Sequence, residues 1–275
     1  MRRSTLKKPY VVVPKATLDN VPLHYVKNVE RWKYVIQRRI ALERELRKDA
    51  LKCKEVVEII EVVGLMKTVT KFGPFYKGLV KEFVVTIPDG CDDVKSEDYR
   101  KVYVRGHVMT FSPAVINKFL GRTEEPHGEL EVTDDQVCKE ITAKQVKHWT
   151  NRGKLSVGKP DVKYAILHRI GTVNWVPTNH TSTISTGLGK FIYAIGTRRA
   201  FDFGKYIFEQ VLKQTFSNAV NMHICFPSLI CGIILNQHPG ILFPIDIVNK
   251  REYPLSLNYK LFAGTHVPDI VMTSS

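Results

Sequence analysis

The feature that most constrains the fold is the apolar pattern of residues 164–242, where apolar side chains recur every three or four positions. This spacing is typical of amphipathic helices that bury one face. Asp202 and Pro227 stand where helices commonly begin, and Pro239 follows the end of the last apolar run. We therefore expect this stretch to form a helical core. The predicted helices cover about residues 161–172, 182–197, 203–216 and 227–238.

A second pattern, near residues 82–111, predicts a small β-structure. Residues 82–87 are rich in β-branched side chains, and two further β-rich segments flank Arg105-Gly106, a pair that favours a tight turn. We expect an antiparallel β-hairpin or a three-stranded sheet here. Ser112, Pro113 and Gly121 then carry the start and stop signals of a short helix. The predicted fold class is mainly α (α+β), a helical domain with this small sheet.

The N-terminal region is basic, and it contains no proline or glycine between residues 28 and 63. Its apolar residues are spaced three to four apart, which predicts one long helix. The chain has 41 Lys and Arg against 27 Asp and Glu, a formal charge of +14 that favours polyanionic partners. A solvated basic face is the structural alternative. The candidate nucleic-acid-binding residues are Arg31, Lys33, Arg38, Arg39, Arg44, Arg47, Lys48 and Lys52.

These patterns divide the chain into three segments. Residues 1–66 are expected to form a basic arm followed by the basic helix, because early prolines exclude a helix at the start. Residues 67–245 are expected to form the mostly helical core domain. Residues 246–275 are interrupted by prolines and a glycine, which indicates an extended C-terminal tail.

Residue types that carry chemistry do not occur in recognisable motifs. The five cysteines include no CxxC pair and the nine histidines no HExxH motif, so we expect neither a disulfide framework nor a zinc site. Gly187-Leu188-Gly189 lacks the other features of a nucleotide-binding loop. The acidic residues follow no alternating strand–helix pattern that would converge them on metal ions. We therefore predict a protein that is not an enzyme and has no cofactor or metal.

No segment predicts membrane insertion or secretion. The first 15 residues lack the apolar stretch of a signal peptide. The longest nearly apolar window, residues 224–235, is shorter than the ~20 residues that a spanning helix requires. The cysteine usage fits a reducing compartment, so we expect a nuclear or cytoplasmic location.

Several sequence blocks, in a fixed order, resemble a known family. They are FYKGLVKEFVVTIPD, KVYVRGHVMTFSPAVINKFLG, NWVPTNHTSTISTGLGKFIYAIGTRRAFDFGKYIF, FPSLICGIILNQHPGIL and PLSLNYKLFAGTHVPDI. They are similar to the putative plant transposon protein domain, whose members accompany plant LTR retrotransposons and are often described as envelope-like. The resemblance covers residues 72–270 and implies an origin in a transposable element, without a catalytic residue set. The matching positions are Phe83, Val104, Arg105, Gly106, Phe111, Ser112, Ile116, Asn117, Trp175, Pro177, Pro227 and Leu229.

The functional hypothesis is a retrotransposon-derived, non-enzymatic protein that binds nucleic acid through its basic N-terminal helix. The first alternative is a protein–protein assembly module whose partner is a second copy or another element-encoded protein. Two further alternatives stay open, a metal-dependent transposase-type nuclease and a degenerate fragment without function.

Overall fold

The computed structural model describes residues 26–48, 54–122, 131–149, 153–176, 182–199, 201–251 and 253–256. Within these ranges lie α1 (Val26–Val35), α2 (Lys54–Val62), α3 (Lys77–Thr86), α4 (Pro113–Leu120), α5 (Asp134–Ile141), α6 (Val162–Asn174), α7 (Thr186–Gly196), α8 (Phe203–Thr215) and α9 (Pro227–Gln237). Two antiparallel strand pairs join β1 (Lys101–Val104) to β2 (His107–Thr110) and β3 (Lys154–Ser156) to β4 (Thr183–Ser185). The prediction of a mainly α fold with a small β-part is confirmed.

Local capping signals fix where several helices begin and end. The Ser112 hydroxyl accepts a hydrogen bond from Val115 N at 3.2 Å, and Gly121 closes α4 in the left-handed conformation with φ of 82°. A capping box between Thr133 and Gln136 begins α5. These starts lie where the sequence predicts them, because each signal acts within one turn of the helix.

The capping-box pattern of residues 133–136 predicts a helix that continues to about His148, but α5 is shorter. It ends at Ile141, since Ala143 and Lys144 adopt positive φ angles of 47° and 65°. The predicted helix 182–197 also begins late, because residues 183–185 form β4 before α7 starts. In both places the helix is shorter than predicted, because a turn or a strand takes up the remaining residues.

The predicted strand at residues 82–87 is wrong, because this segment belongs to α3. Every residue from 79 to 87 is buried, and α3 packs against α1, α8, α9 and the β1–β2 hairpin. A helix surrounded on all sides shows no polar stripe, so its β-branched residues resemble a buried strand in sequence. The sheet at this position is therefore a two-stranded hairpin.

The single helix predicted over residues 28–63 is also wrong. Helix α1 ends at Val35, and residues 39–47, which we name the strap, are extended. The strap pairs in parallel with distant backbone, at Ile40 with Ile224 and at Leu46 with Leu255. Leu46 N also donates to Val69 O at 2.8 Å. The strap is thus an integral part of the core rather than a separate surface helix.

Close helix contacts organise the rest of the core. Asn117 on α4 donates to Asp202 Oδ1 at 3.0 Å and accepts from Gly204 N at 3.1 Å, which joins α4 to the start of α8. Trp175, at the end of α6, is buried and donates from Nε1 to Thr68 Oγ1 at 2.8 Å. Residues that carry the family resemblance therefore hold the fold together. The predicted N-terminal arm and most of the predicted tail lie outside the described residues.

Candidate nucleic-acid interface

Arg38, one of the predicted nucleic-acid-binding residues, is buried inside the protein. Its Nη1 donates to Gln214 O at 2.5 Å and its Nη2 donates to Ser217 O, so the guanidinium caps the end of α8. Burial lowers the pKa of Arg38, because the charge is removed from water. The last carbonyls of a helix carry partial negative charge, which a cation complements. The Arg38 guanidinium therefore has a structural role at the end of α8.

Arg31 has a similar position at the end of α3. Its Nη1 donates to Val85 O at 2.9 Å and to Ile87 O at 2.5 Å, and its Nη2 donates to Asp89 Oδ1 at 2.7 Å. Lys27 also bonds to Asp89, and this hydrogen bond is the largest cause of the lowered pKa of the Asp89 carboxyl. Two N-terminal cations therefore fasten α1 to the turn that follows α3.

Two lysines outside the predicted set cap further helix ends. Lys81 Nζ donates to Ile36 O at 2.5 Å, just beyond the end of α1, and Lys67 Nζ donates to Phe119 O at 2.7 Å near the end of α4. Burial lowers the pKa of Lys81 to about 8. Cations thus serve as partners for backbone carbonyls at the ends of α1, α3, α4 and α8. Some of the chain's lysines and arginines therefore bond to backbone groups of the fold itself.

The other predicted nucleic-acid-binding residues differ in their exposure and in their bonding partners. Arg44 donates from Nε to Tyr253 O at 2.7 Å, and Lys33 forms an ion pair with Glu30 at 2.5 Å. Three more are exposed, Arg39, Arg47 and Lys48, whereas Lys52 lies outside the described residues. The described members of the predicted set therefore do not form one solvated face.

A buried ion-pair network joins the β1–β2 turn to the C-terminal region. Arg105 donates to both oxygens of Glu82, at 2.7 and 3.0 Å, and to both oxygens of Asp246, at 2.5 and 3.0 Å. A further bond to Ile241 O at 3.1 Å uses the fifth N–H group of the guanidinium. Burial alone would raise the pKa of Asp246, but the hydrogen bonds from Arg105 and from Phe243 N, together with the charge of Arg105, lower it below its ordinary value. This network is saturated with internal partners and leaves no donor for a ligand.

Glu43, on the strap, is a buried carboxyl at the start of α9. Its Oε2 accepts from Ser228 N at 3.0 Å and lies 3.9 Å from Arg251 Nη1. Burial raises the pKa of Glu43 to about 7, although Ser228 and Arg251 act in the opposite direction. The two buried thiols near this carboxyl, Cys225 and Cys231, have pKa values raised by burial to about 12 and are therefore protonated. The cluster contributes to packing and has no ionised nucleophile.

One group of exposed cations outside the predicted set extends from the last turns of α5 to the start of α6. Residues 139–163 contain six lysines and two acidic residues. Five of these lysines are exposed, and four of the five form what we name the lysine surface, Lys139, Lys144, Lys147 and Lys159. The local excess of lysine is visible in the sequence. The spacing of these lysines, however, matches the period of neither a helix nor a strand.

Two classes of site have no support in the described part of the chain. No group of three or more His, Cys, Asp or Glu side chains there lies close enough together to hold a metal ion. None of the described helices has the length and apolar character needed to cross a membrane.

Comparison with known proteins places the sequence in a family context. The family model for a putative plant retrotransposon-related domain matches residues 61–238. No curated protein and no solved structure matches the chain. The matched region begins within α2 and ends after α9, so it contains the hairpin and the lysine surface. The eight predicted nucleic-acid-binding residues precede the matched region.

Proposed function

This chain belongs to the putative plant retrotransposon-related domain family, and from that premise we propose that it is a nucleic-acid-binding protein of a transposable element rather than an enzyme. The observation that carries the proposal is the large excess of positive charge, +14 over the whole chain. Such a surface attracts polyanions, and duplex DNA is a polyanion with one negative charge per about 1.7 Å of helix axis. The internal use of Arg31, Arg38 and Lys81 leaves other cations exposed, among them Arg39 and Lys48.

The physical basis of this binding is the release of counterions from the phosphate backbone. Each phosphate that a lysine or arginine neutralises steepens the dependence of log affinity on log salt by about 0.9 for duplex DNA and about 0.7 for single strands. A protein that binds mainly through exposed cations should therefore lose affinity steeply as salt rises. Base-specific contacts are not required for this behaviour.

A salt titration of the full chain tests the proposal. Binding to a 20-base-pair DNA duplex and to single-stranded RNA is measured by fluorescence anisotropy between 50 and 200 mM NaCl, and we expect a slope of roughly −3 or steeper. The full chain is needed because the strap pairs with Ile224 and Leu255 inside the core. Absence of binding to both probes at 50 mM salt, or binding that does not respond to salt, would contradict nucleic-acid binding.

One observation favours the alternative of an assembly module. Ile245 and Ile247 are 70% and 81% exposed on either side of Asp246, which Arg105 holds in place. Fixed, exposed apolar side chains are a common feature of protein–protein contacts. For this alternative we propose self-association through residues 245–247. Sedimentation of the full chain would then show a discrete oligomer that Ile247→Asp dissociates and Lys250→Asp leaves intact.

A further inference from the structure

The lysine surface differs from Arg31, Lys33 and Arg38, the N-terminal cations that are bonded internally, because its side chains form no ion pair among the described residues. Lys139, Lys144, Lys147 and Lys159 are all exposed, and no described carboxylate lies within ion-pair distance of them. Arg31 and Arg38, in contrast, are bonded to carbonyls at the ends of α3 and α8. A phosphate that approaches the lysine surface does not need to displace an internal partner.

The fold brings the regions of Lys139 and Lys159, 20 positions apart in the sequence, close together. Asp161 N donates to Ile141 O at 3.0 Å, so the end of α5 lies against the start of α6. The left-handed residues Ala143 and Lys144 end α5 and turn the chain there. Lys159 lies in the turn after β3, where its N–H donates to Ser156 O at 3.1 Å. The lysines thus project from the end of one helix and from the loops that lead to the next.

Most carboxylates of the same region bond to residues outside the lysine surface. Asp134 pairs with Lys190 at 2.8 Å, and Asp135 accepts from Trp149 N at 2.9 Å and contacts His148 at 2.7 Å. Asp161 caps α6 by accepting from Tyr164 N at 3.0 Å. Glu140 is the remaining exposed acid between residues 134 and 163. The positive charge of the lysine surface is therefore compensated only in part, by Glu140 and by Asp135, which Lys139 attracts.

The aromatic residues of this region indicate which form of nucleic acid fits. Single-strand binding proteins stack bases on exposed aromatic rings. Trp149 is 8% exposed, and among the described residues from 139 to 163 no Phe, Tyr or Trp presents an exposed ring. A surface with lysines and without a stacking platform suits the backbone of a double helix, which is bound through its phosphates.

We propose that the lysine surface, rather than the predicted N-terminal set, binds the phosphate backbone of a double-helical nucleic acid. This inference rests on the nucleic-acid binding proposed above and assigns its site. The lysines act as point charges on phosphates and confer no sequence preference. The contacts are the same for duplex DNA and duplex RNA, and the two probes separate these sources.

Three charge-matched variants of the full chain test the assignment. The test variant carries K139Q, K144Q, K147Q and K159Q. The control variant carries K95Q, K101Q, K118Q and K213Q, which also removes four exposed charges, from four other places in the fold. The N-terminal variant carries R39Q, R47Q, K48Q and K52Q. Each is titrated with 20-base-pair DNA and RNA duplexes and with single-stranded RNA between 50 and 200 mM salt, after circular dichroism confirms folding.

We expect the test variant to lose at least about tenfold in duplex affinity at 100 mM salt and about 3 to 4 units of salt slope. The control and N-terminal variants should each change the slope by less than half as much. A larger loss in the N-terminal variant, equal losses in all three, or tighter binding to single-stranded RNA than to duplex would overturn the assignment. If the wild-type chain binds no probe at all, the proposed function itself fails.

A measurement on the wild-type chain covers the case in which a variant does not fold. Lysines are acetylated with a limiting reagent, with and without bound duplex, and the modified positions are quantified by mass spectrometry. We expect at least about threefold protection at Lys139, Lys144, Lys147 and Lys159, because a bound phosphate blocks each amine. Equal protection at the four control lysines would contradict a localised site.

Discussion

Arg105 and Asp246, 141 positions apart in the sequence, are joined by two hydrogen bonds of 2.5 and 3.0 Å. Arg105 stands at the hairpin turn with φ of 52°, and its guanidinium also lies 4.3 Å from the centre of the Phe243 ring. The bond with Glu82 extends the connection to α3. One side chain therefore fixes the relative positions of a helix, a hairpin and the C-terminal region.

Removal of this guanidinium should be strongly destabilising. Arg105→Met leaves Glu82 and Asp246 as neighbouring carboxylates without a cation, and we expect a loss of about 3 to 5 kcal/mol in the free energy of unfolding. Urea denaturation measures the loss. Lys101→Met, an exposed change on the same hairpin, should stay within about 0.5 kcal/mol of wild type. A similar small effect for Arg105→Met would show that the network is not formed.

The adjacent residues Arg38 and Arg39 provide a matched pair for the capping interpretation. Arg38→Met removes the donors for Gln214 O and Ser217 O, and we expect a loss of about 1 to 3 kcal/mol. Arg39 is exposed, so Arg39→Met should change stability by no more than about 0.5 kcal/mol. Thermal and urea unfolding of the two variants make the comparison. Equal effects would contradict a structural role specific to Arg38.

Gly204 tests the close contact between α4 and α8. A Cβ at this position would lie 2.3 Å from Pro113 O and 2.7 Å from Asn117 Cγ. Helix propensity alone favours alanine by about 1 kcal/mol, whereas the clash should cost about 1 to 3 kcal/mol or more. Gly204→Ala should therefore destabilise the protein, and Gly240→Ala, which meets no atom within 4 Å, should be nearly neutral. A stabilising effect of Gly204→Ala would exclude the tight packing.

Glu43 should make stability depend on pH in an unusual direction. Its pKa rises from the ordinary 4.5 to about 7 in the folded protein, so the folded state holds its proton more tightly than the unfolded state. The stability gained from this proton is present below pH 4.5 and is lost as pH rises to about 7. Relative to Glu43→Gln, the wild type should lose about 2 to 3 kcal/mol between pH 5 and pH 8.

Urea unfolding of wild type and Glu43→Gln at both pH values measures this difference, which cancels groups common to the two proteins. The exposed Glu61→Gln controls for the removal of one carboxylate. A wild-type protein that gains stability relative to Glu43→Gln as pH rises would contradict the upward pKa shift.

Features that depend on neighbouring residues could be predicted from the sequence. Ser112 and Gly121 bound α4, and Asp202 caps α8 by accepting from Lys205 N, because each needs only one turn of helix to act. The hairpin turn at Arg105-Gly106 is local in the same way. Such signals located the starts of α4, α8 and α9 and the hairpin between residues 101 and 110.

Features that depend on distant residues could not be predicted in this way. The strap is extended because Ile224 and Leu255 supply its backbone partners, and nothing near residue 40 reports their presence. Arg38 and Arg39 are identical in type, yet only Arg38 meets the end of α8. The lysine surface is assembled by the contact between Ile141 and Asp161, so its separate lysines give no regular period.

The pairing of Ile40 with Ile224 and of Leu46 with Leu255 has a consequence during synthesis. At about 5 to 20 residues per second, the ribosome needs roughly ten seconds or more to supply the partners of a segment it made early. Over that interval the strap's apolar side chains and unpaired backbone are exposed to other nascent chains and to chaperones. Contacts between such distant residues also slow the search for the native arrangement. The newly made protein is thus most prone to aggregate before residues 224–255 are translated.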